Sequence, residues 1–373
     1  MKFLIFSHVV HVQKDGAYYG YGPYIKEMNL WSNYVDELWV IAPLVTDTNP
    51  DPIDLAYVHP RIKFIAVPSF QITSLSHLPA ALWASFIVLV KGVFYSAKAD
   101  HLHLRCPGNM GLLACMIQIF FPWKPKTAKY AGNWDPKAKQ PFTYKLQRWI
   151  LSNIFLTKNM QVLVYGDWEN QSKNIKPFFT ATYSEFEKKD VCPRKLDGLI
   201  NFLFVGTLSI GKQPLFAVQL VEKLYQSGKK VRLNLYGEGV LKTTLEEYIK
   251  VNELQDIIFL HGNQSKETIL IAYQLSHFLI LPSKSEGWPK VIAEGMFWGC
   301  VPIVSKVSCV PYMLGNGTRG ILLNEELEID VQKINHLLLD ELNYQEMVLE
   351  GQKWSRQFTT NFFEKEIKKI LFS

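Results

Sequence analysis

Short apolar runs alternate along the chain with stretches in which apolar residues recur every three or four positions. In the first half the runs are of strand length, at residues 2–7, 38–42, 62–67, 100–104, 127–131 and 161–164. Helical spacing fills the intervals at 23–33, where Tyr24, Met28 and Trp31 are in phase, and at 108–121 and 143–153. Residues 8–22 read as a loop. A charged stretch at 179–198, carrying Pro193 and Gly198, interrupts the pattern and reads as a linker. The alternation then restarts, with strands at 202–205, 231–236, 257–260, 277–281, 301–305 and 320–323. Helices fall at 214–227, 239–252 and 266–275, and everything from Glu326 onward is helical. Strands that alternate with helices imply parallel βαβ units with helices on both faces. The expected organisation is α/β: a Rossmann-like domain at 1–180, a linker at 181–200, a second Rossmann-like domain at 201–355 and a final helical segment at 356–373. Two doubly wound domains place a cleft between them, with binding loops at the carboxyl ends of both sheets.

Composition narrows the class. Of 373 residues 48% are hydrophobic and 20% charged, which describes a globular protein rather than a disordered one. The net charge of +6, from 40 basic against 34 acidic residues, is dispersed. It fits anionic small molecules or an anionic membrane surface and argues against nucleic acid. Five cysteines without C-x-x-C spacing indicate neither a disulfide framework nor a zinc site, so a reducing, cytoplasmic setting is expected. The opening Met1 to Phe6 reads as a strand rather than a signal peptide. The apolar run at 78–95 holds about a dozen apolar residues before Lys91 and Gly92 interrupt it. That is short of the roughly 18–20 a membrane span requires, so a buried or interfacial helix is expected. With the apolar 112–123 and Trp123-Lys124-Pro125-Lys126 following, it suggests loose attachment to the inner membrane face.

The densest chemistry follows the strand at 277–281: Pro282-Ser283-Lys284-Ser285-Glu286-Gly287-Trp288-Pro289-Lys290-Val291-Ile292-Ala293-Glu294-Gly295, then Trp298-Gly299-Cys300-Val301-Pro302. Pro289 sits where a first helical residue belongs, and Val291, Ile292 and Met296 share a buried helix face. Glu286 and Glu294 thus bracket a helix N-terminus, whose free N–H groups and partial positive charge suit a phosphate. Charged side chains are ordinarily solvated. Two carboxylates beside a phosphate site suit the hydroxyls of sugars on either side of it, and a phosphate flanked by two sugars is a nucleotide sugar. This stretch resembles the signature of family 4 glycosyltransferases of the GT-B fold (the glycosyl transferases group 1), in which two glutamates eight positions apart grip the donor.

A second segment agrees. Gly206-Thr207-Leu208-Ser209-Ile210-Gly211-Lys212-Gln213 comes close to a P-loop and fails at Gln213, where a hydroxyl should meet magnesium. It is similar to the family segment in which an arginine and a lysine bind the donor diphosphate. Lys212 matches that lysine, while Thr207 stands at the arginine position. Lys290 opposes the helix dipole at its own helix start, which a bound anion would repair. Gly237-Glu238-Gly239 is similar to the family's Gly-Asp-Gly turn on the base-binding side. Gly16, Gly20 and Gly22 stand where the family has a glycine-rich loop. The family's mid-domain histidine is missing from Lys129-Tyr130-Ala131-Gly132-Asn133-Trp134-Asp135, which leaves Asn133, Asp135 and Arg105 as candidates to face the cleft. His8, His11 and His103 read as structural. There is no Asp-x-Asp pair and no cluster with metal-ligand spacing.

The resemblance implies a retaining, metal-independent transferase that needs no protein nucleophile. In it Glu286 holds hydroxyls of the transferred sugar, Lys212 neutralises the diphosphate and Glu294 holds the ribose. Gly287, Trp288 and Pro289 would offer backbone amides, with Lys290, Gly206, Thr207, Gly237 and Glu238 completing the donor side. Gly20, Gly22, Arg105 and Asn133 would serve the acceptor or phosphate side, and the last helix would cross back to the first domain. No cofactor is implied beyond a UDP- or GDP-sugar co-substrate. A glycan or lipid-linked acceptor of bacterial surface-polysaccharide assembly, at the inner face of the plasma membrane, is the expected partner. The competing readings are a nucleotide-sugar epimerase of the same fold and a non-catalytic nucleotide-sugar-binding relative. A nicotinamide-dependent oxidoreductase lacks the G-x-G-x-x-G it would need.

Overall fold

The structure, a computed structural model, describes residues 1–46, 48–69 and 78–372. The chain forms two compact units, one of Met1–Phe178 with Glu364–Ser373 and one of Phe179–Phe363.

In the first unit β1 (Lys2–Phe6) is flanked on one side by β4 (Glu37–Val45) and β6 (Ile62–Val67), all parallel. On the other side β7 (His101–Cys106), β8 (Lys126–Tyr130), β9 (Met160–Tyr165) and β10 (Ile175–Phe178) continue the parallel sheet. The order in space reverses between β1 and β7, the mark of a doubly wound sheet. Helices α1 (Gly22–Ser32), α2 (Leu78–Lys98), α3 (Asn109–Ile117) and α4 (Phe142–Ser152) connect these strands. Leu4 and Phe6 on one face of β1, and Phe3 and Ile5 on the other, are fully or almost fully buried, so the central strand is covered on both faces.

The region at 8–22 corrects the expectation of a loop. It is a hairpin of β2 (His11–Lys14) and β3 (Ala17–Tyr21), with β5 (Asp54–Ala56) paired outside it. Asp15 (φ 51°) and Gly16 (φ 78°) make its turn. Positive φ at both central positions matches the twist of the two strands, and Asp-Gly supplies it at low cost. The same hairpin explains Gly20 and Gly22. A Cβ on Gly22 would lie 2.2 Å from the Ile53 carbonyl oxygen, and one on Gly20 would lie 3.1 Å from the His11 ring.

In the second unit six parallel strands, β11 (Ile200–Val205), β12 (Val231–Tyr236), β13 (Ile258–Leu260), β14 (Phe278–Leu281), β15 (Val301–Ser305) and β16 (Ile321–Leu323), lie in the order β13-β12-β11-β14-β15-β16. Residues 181–200, expected to be a linker, belong to this unit. The Arg194 guanidinium donates to the carbonyls of Tyr273, Gln274, Trp298 and Gly299. Those carbonyls end α7 (Lys266–Leu275) and α8 (Lys290–Phe297), where four acceptors lack an intrahelical partner. A charged composition therefore marks a helix-capping strap here.

Three histidines of the first unit are buried. His101 and His103 share the Thr127 hydroxyl at 3.0 and 2.8 Å, and His11 meets the Tyr57 hydroxyl at 3.2 Å. Desolvation lowers His101 and His103 from 6.5 to about 3 and His11 to about 4. The unfolded chain then takes up these protons first, so stability is fully present above pH 6.5 and is lost as pH falls below it. Each group costs about 1.4 kcal/mol per pH unit in that range. The expected result is a steep fall in the urea midpoint between neutral pH and pH 5, lessened in His103→Gln; parallel curves for the two proteins would refute the assignment.

Candidate functional site

In the second sheet β11 and β14 are neighbours, and their following connections run to opposite sides of the pair. A crevice opens outside the carboxyl ends of two such strands. The loop after β11 is 206–213 and the loop after β14 is 282–289. The two are tied together. Gln213, in a left-handed conformation (φ 49°, ψ 49°) before α5 (Pro214–Gln226), donates from Nε2 to the Pro282 carbonyl at 2.7 Å. The Lys284 amide donates to the Gly211 carbonyl at 2.9 Å. Gln213 thus takes a bridging role where a phosphate loop would carry a hydroxyl.

Between these ties Lys212 and Glu286 form an ion pair, Nζ to Oε1, at 2.5 Å. The Glu286 side chain is 9% exposed and that of Lys212 29%. A nearly buried carboxylate needs such a partner, because an uncompensated buried charge is strongly destabilising. Two residues distant in sequence, each expected in a donor site, therefore meet at the switch point.

Helix α8 starts one residue later than expected, with Pro289 as N-cap and Lys290 as the first helical residue. Proline has no side-chain acceptor, and no side chain among the described residues caps this end. The Ile292 amide donates to the Pro289 carbonyl at 3.0 Å, and the positive end of the helix dipole at this start favours an anion. Gly287 is fixed through its carbonyl, which accepts from Cys309 Sγ at 3.0 Å and Ser308 Oγ at 3.4 Å. Trp288 is buried and its ring stacks on Trp354 and meets Phe358 edge-on. Its indole anchors the loop, so only its backbone is placed to serve a ligand.

Glu294 lies on α8 with both oxygens engaged. Oε1 accepts from the Thr182 hydroxyl at 2.6 Å and Oε2 from the Tyr273 hydroxyl at 3.0 Å. Desolvation and the Glu294 charge hold the Tyr273 hydroxyl well above its usual range, which keeps it a donor. Each carboxylate oxygen has a second lone pair, so Glu294 can still accept from a ligand. Lys290 and Glu294 line one small hollow together with Thr180, Thr182, Tyr183 and Phe297.

Beside this lies the turn after β12. Gly237 (φ 142°) approaches Gly206 so closely that a Cβ would sit 1.9 Å from the Gly206 carbonyl oxygen. The Leu208 amide donates to the Glu238 carbonyl at 2.9 Å, while the Glu238 side chain pairs with Lys242 at 2.9 Å. Thr207 is exposed. Gly206, Thr207, Gly237 and Glu238 are therefore brought together at the rim of the same crevice.

In the first unit Arg105 donates to Glu27 at 2.9 Å, with side chains 11% and 6% exposed, and lies over the Tyr24 ring. Its charge is absorbed by the core. The Asn133 side chain accepts from the Asp135 amide at 2.9 Å and closes a local turn. Tyr273 and Thr182, which orient Glu294, carry no motif and escape sequence reasoning. Among the described residues no group of three or more His, Cys, Asp and Glu is placed to hold a metal ion.

Residues 187–354 match the family of glycosyl transferases group 1. The second unit is a glycosyl transferases group 1 domain. An uncharacterized glycosyltransferase of Methanocaldococcus jannaschii is 28% identical over 167 residues, 44% of this chain and 45% of that protein. An alpha-D-kanosaminyltransferase of Streptomyces kanamyceticus is 25% identical over 156 residues, 42% and 40% of the two chains. The chain thus matches less than half the length of these curated relatives. The solved structure of Anabaena HepE in complex with UDP and glucose has a TM-score of 0.67 at 14% identity, covering 100% of this chain and 99% of that one. That likeness shows the fold, GT-B with two Rossmann-like domains.

The group 1 domain depends on the close approach at Gly237. Gly237→Ala is expected to cost several kcal/mol, since a positive φ strains alanine by about 1–2 kcal/mol before the clash with Gly206 is counted. Chemical denaturation checks it, and a loss below that strain alone would show that the two turns can part.

Proposed function

We propose that this protein is a retaining glycosyltransferase, moving a hexose from a nucleoside-diphosphate sugar of UDP or GDP type to a glycan or lipid-linked acceptor in the cytoplasm. The observation that carries the reading is the Lys212–Glu286 pair at the switch point of a group 1 domain, beside an uncapped helix start. The complex of Anabaena HepE with UDP and glucose supports a donor of that class.

In the free protein lysine and glutamate neutralise each other. A donor diphosphate offers Lys212 a stronger partner and the first amides of α8 an anion. Glu286 then turns to hydroxyls of the transferred sugar, and Glu294, held by Tyr273 and Thr182, accepts from the ribose. As the anomeric C–O bond breaks, its electron pair goes to the departing phosphate oxygen. The acceptor hydroxyl attacks from the same face and passes its proton to that oxygen. Lys212 and the helix amides stabilise the charge that grows there, as preorganised donors do. Bacterial surface-polysaccharide assembly fits an acceptor of this kind.

Thermal stabilisation across a panel of UDP- and GDP-sugars tests the donor. One base is expected to raise the melting temperature, and Lys212→Ala is expected to abolish the shift; no shift with any nucleotide sugar would sink the reading. Glu294→Ala should weaken donor binding by about 1.5–3 kcal/mol, the value of hydrogen bonds to a charged group, and calorimetry showing unchanged affinity would remove its ribose role. Glu286→Ala should reduce turnover more than nucleotide affinity; equal losses would argue against a sugar contact. Transfer is expected to persist in EDTA, and its abolition would overturn lysine-based stabilisation.

A further inference from the structure

Helix α2 is built inside out. The side chains it buries fully are small, Ala81, Ala84, Val88, Gly92 and Ser96, with Ile87, Leu89 and Tyr95 half-buried against the same core. Its other large apolar side chains point away. Leu82 is 63% exposed, Trp83 64%, Phe86 56%, Val90 52% and Phe94 51%. Positions 82, 86, 90, 93, 94 and 97 fall on one helical stripe, so the exposure is continuous. The helix is long and apolar enough to cross a membrane, yet only 28% of that stretch is buried. Soluble surfaces rarely carry an apolar patch of this extent without a partner.

The patch continues beyond α2. Gly92 lets α2 press on α3, where a Cβ would sit 2.5 Å from Ile117 Cδ1. Phe120, three residues on, is 68% exposed, and Trp123 is 67% exposed. Lys124 donates to the Ala97 and Ala99 carbonyls, which fixes Trp123 at the end of α2. Trp123 in turn borders a cavity of about 900 Å3 lined by Phe155, Lys158, Lys173 and Lys176. Charge along this face has one sign. Neither 78–98 nor 109–126 contains an aspartate or glutamate, while Lys91, Lys98 and Lys124 lie at the surface there; Lys126 is buried, its ammonium held by the Phe121 carbonyl. The acid that follows α2, Asp100, is tied to the Lys2 amide at 2.7 Å.

We infer that the outer stripe of α2, continued by Phe120 and Trp123, is a monotopic docking face for an anionic phospholipid bilayer. Aromatic and branched side chains enter the headgroup boundary while lysines at the rim meet phosphates, the arrangement of a helix lying in an interface. The helix does not cross, because Ala81, Ala84, Val88, Gly92 and Ser96 hold it on the sheet as the connection between β6 and β7. A second copy is disfavoured by charge, since a two-fold contact through this face would set its lysines against themselves with no acid between. This inference stands apart from the donor site.

Co-sedimentation of the full chain with vesicles tests it. The protein should pellet with vesicles of phosphatidylcholine and phosphatidylglycerol in equal parts, and far less with phosphatidylcholine alone. The double variant Phe86→Glu, Val90→Glu should lose at least about tenfold in bound fraction with its melting temperature unchanged, since both positions face out. Leu342→Glu, 75% exposed in the second unit, should bind as the parent does. Alkaline carbonate should release the bound protein. Absence of binding, equal binding by the double variant, equal binding to neutral vesicles or retention in carbonate would each overturn the proposal. So would a dimer in solution that the double variant dissolves while vesicles capture nothing.

Discussion

The pairing of β11 with β14 is the constraint from which the site follows. Their connections run to opposite sides of the pair, which opens a crevice outside their carboxyl ends, and the two loops there must satisfy each other or a ligand. They do so in two registers. Backbone-directed bonds from Gln213 to Pro282 and from Lys284 to Gly211 fix the distance between the loops. The Lys212–Glu286 pair then fills the remaining charge requirement. A carboxylate this shielded would be costly alone, and Lys212 supplies the compensating charge. Glu286 thus holds the lysine in place between the two loops.

Rigidity around the pair comes from side chains that do not face it. Trp288 could have pointed toward a ligand, yet it is spent on Trp354 and Phe358, which pins the Glu286–Pro289 loop to the helices behind it. Arg194 collects four helix-terminal carbonyls, and Tyr273, whose own carbonyl is one of them, donates through its hydroxyl to Glu294. The residues that position the site lie on α7 and the strap before β11, one layer away from the loops. A group placed within a fraction of an ångström requires such a supporting layer.

Hydrophobic period made the alternation of strands and helices legible, because parallel strands buried on both faces read as unbroken apolar runs. Glu286, Glu294 and Lys212 were legible as a pattern, and the meeting of Lys212 with Glu286 came only with topology, since strand order is set by contacts far apart in sequence. Two readings failed for identifiable reasons, and the partner of a third residue went unread. The hairpin at 11–21 was hidden because its aromatic, glycine-rich strands do not alternate cleanly, although Asp15-Gly16 was a readable turn. Arg194 made a packed strap resemble a tether, since composition carries no information about where a guanidinium points. The pairing of Arg105 with Glu27 was not readable, because Glu27 stands on another element and only the fold brings them together.

The same limit of composition gives α2 its significance. A sum of hydropathies treats Val88 and Val90 alike, but one is fully buried and the other half exposed. Ordinary surface helices turn their large apolar side chains inward, where burial contributes about 1.5–3 kcal/mol each. On α2 the fully buried positions are held by alanine, valine, glycine and serine, with Ile87, Leu89 and Tyr95 half-buried beside them, so close approach substitutes for bulk, as Gly92 against Phe6 and Ile117 illustrates. The bulk saved inside is carried outside, where water makes it unfavourable. Trp83, Phe86 and Phe94 stand there with lysines and no acids among them, the pattern from which the docking face is inferred.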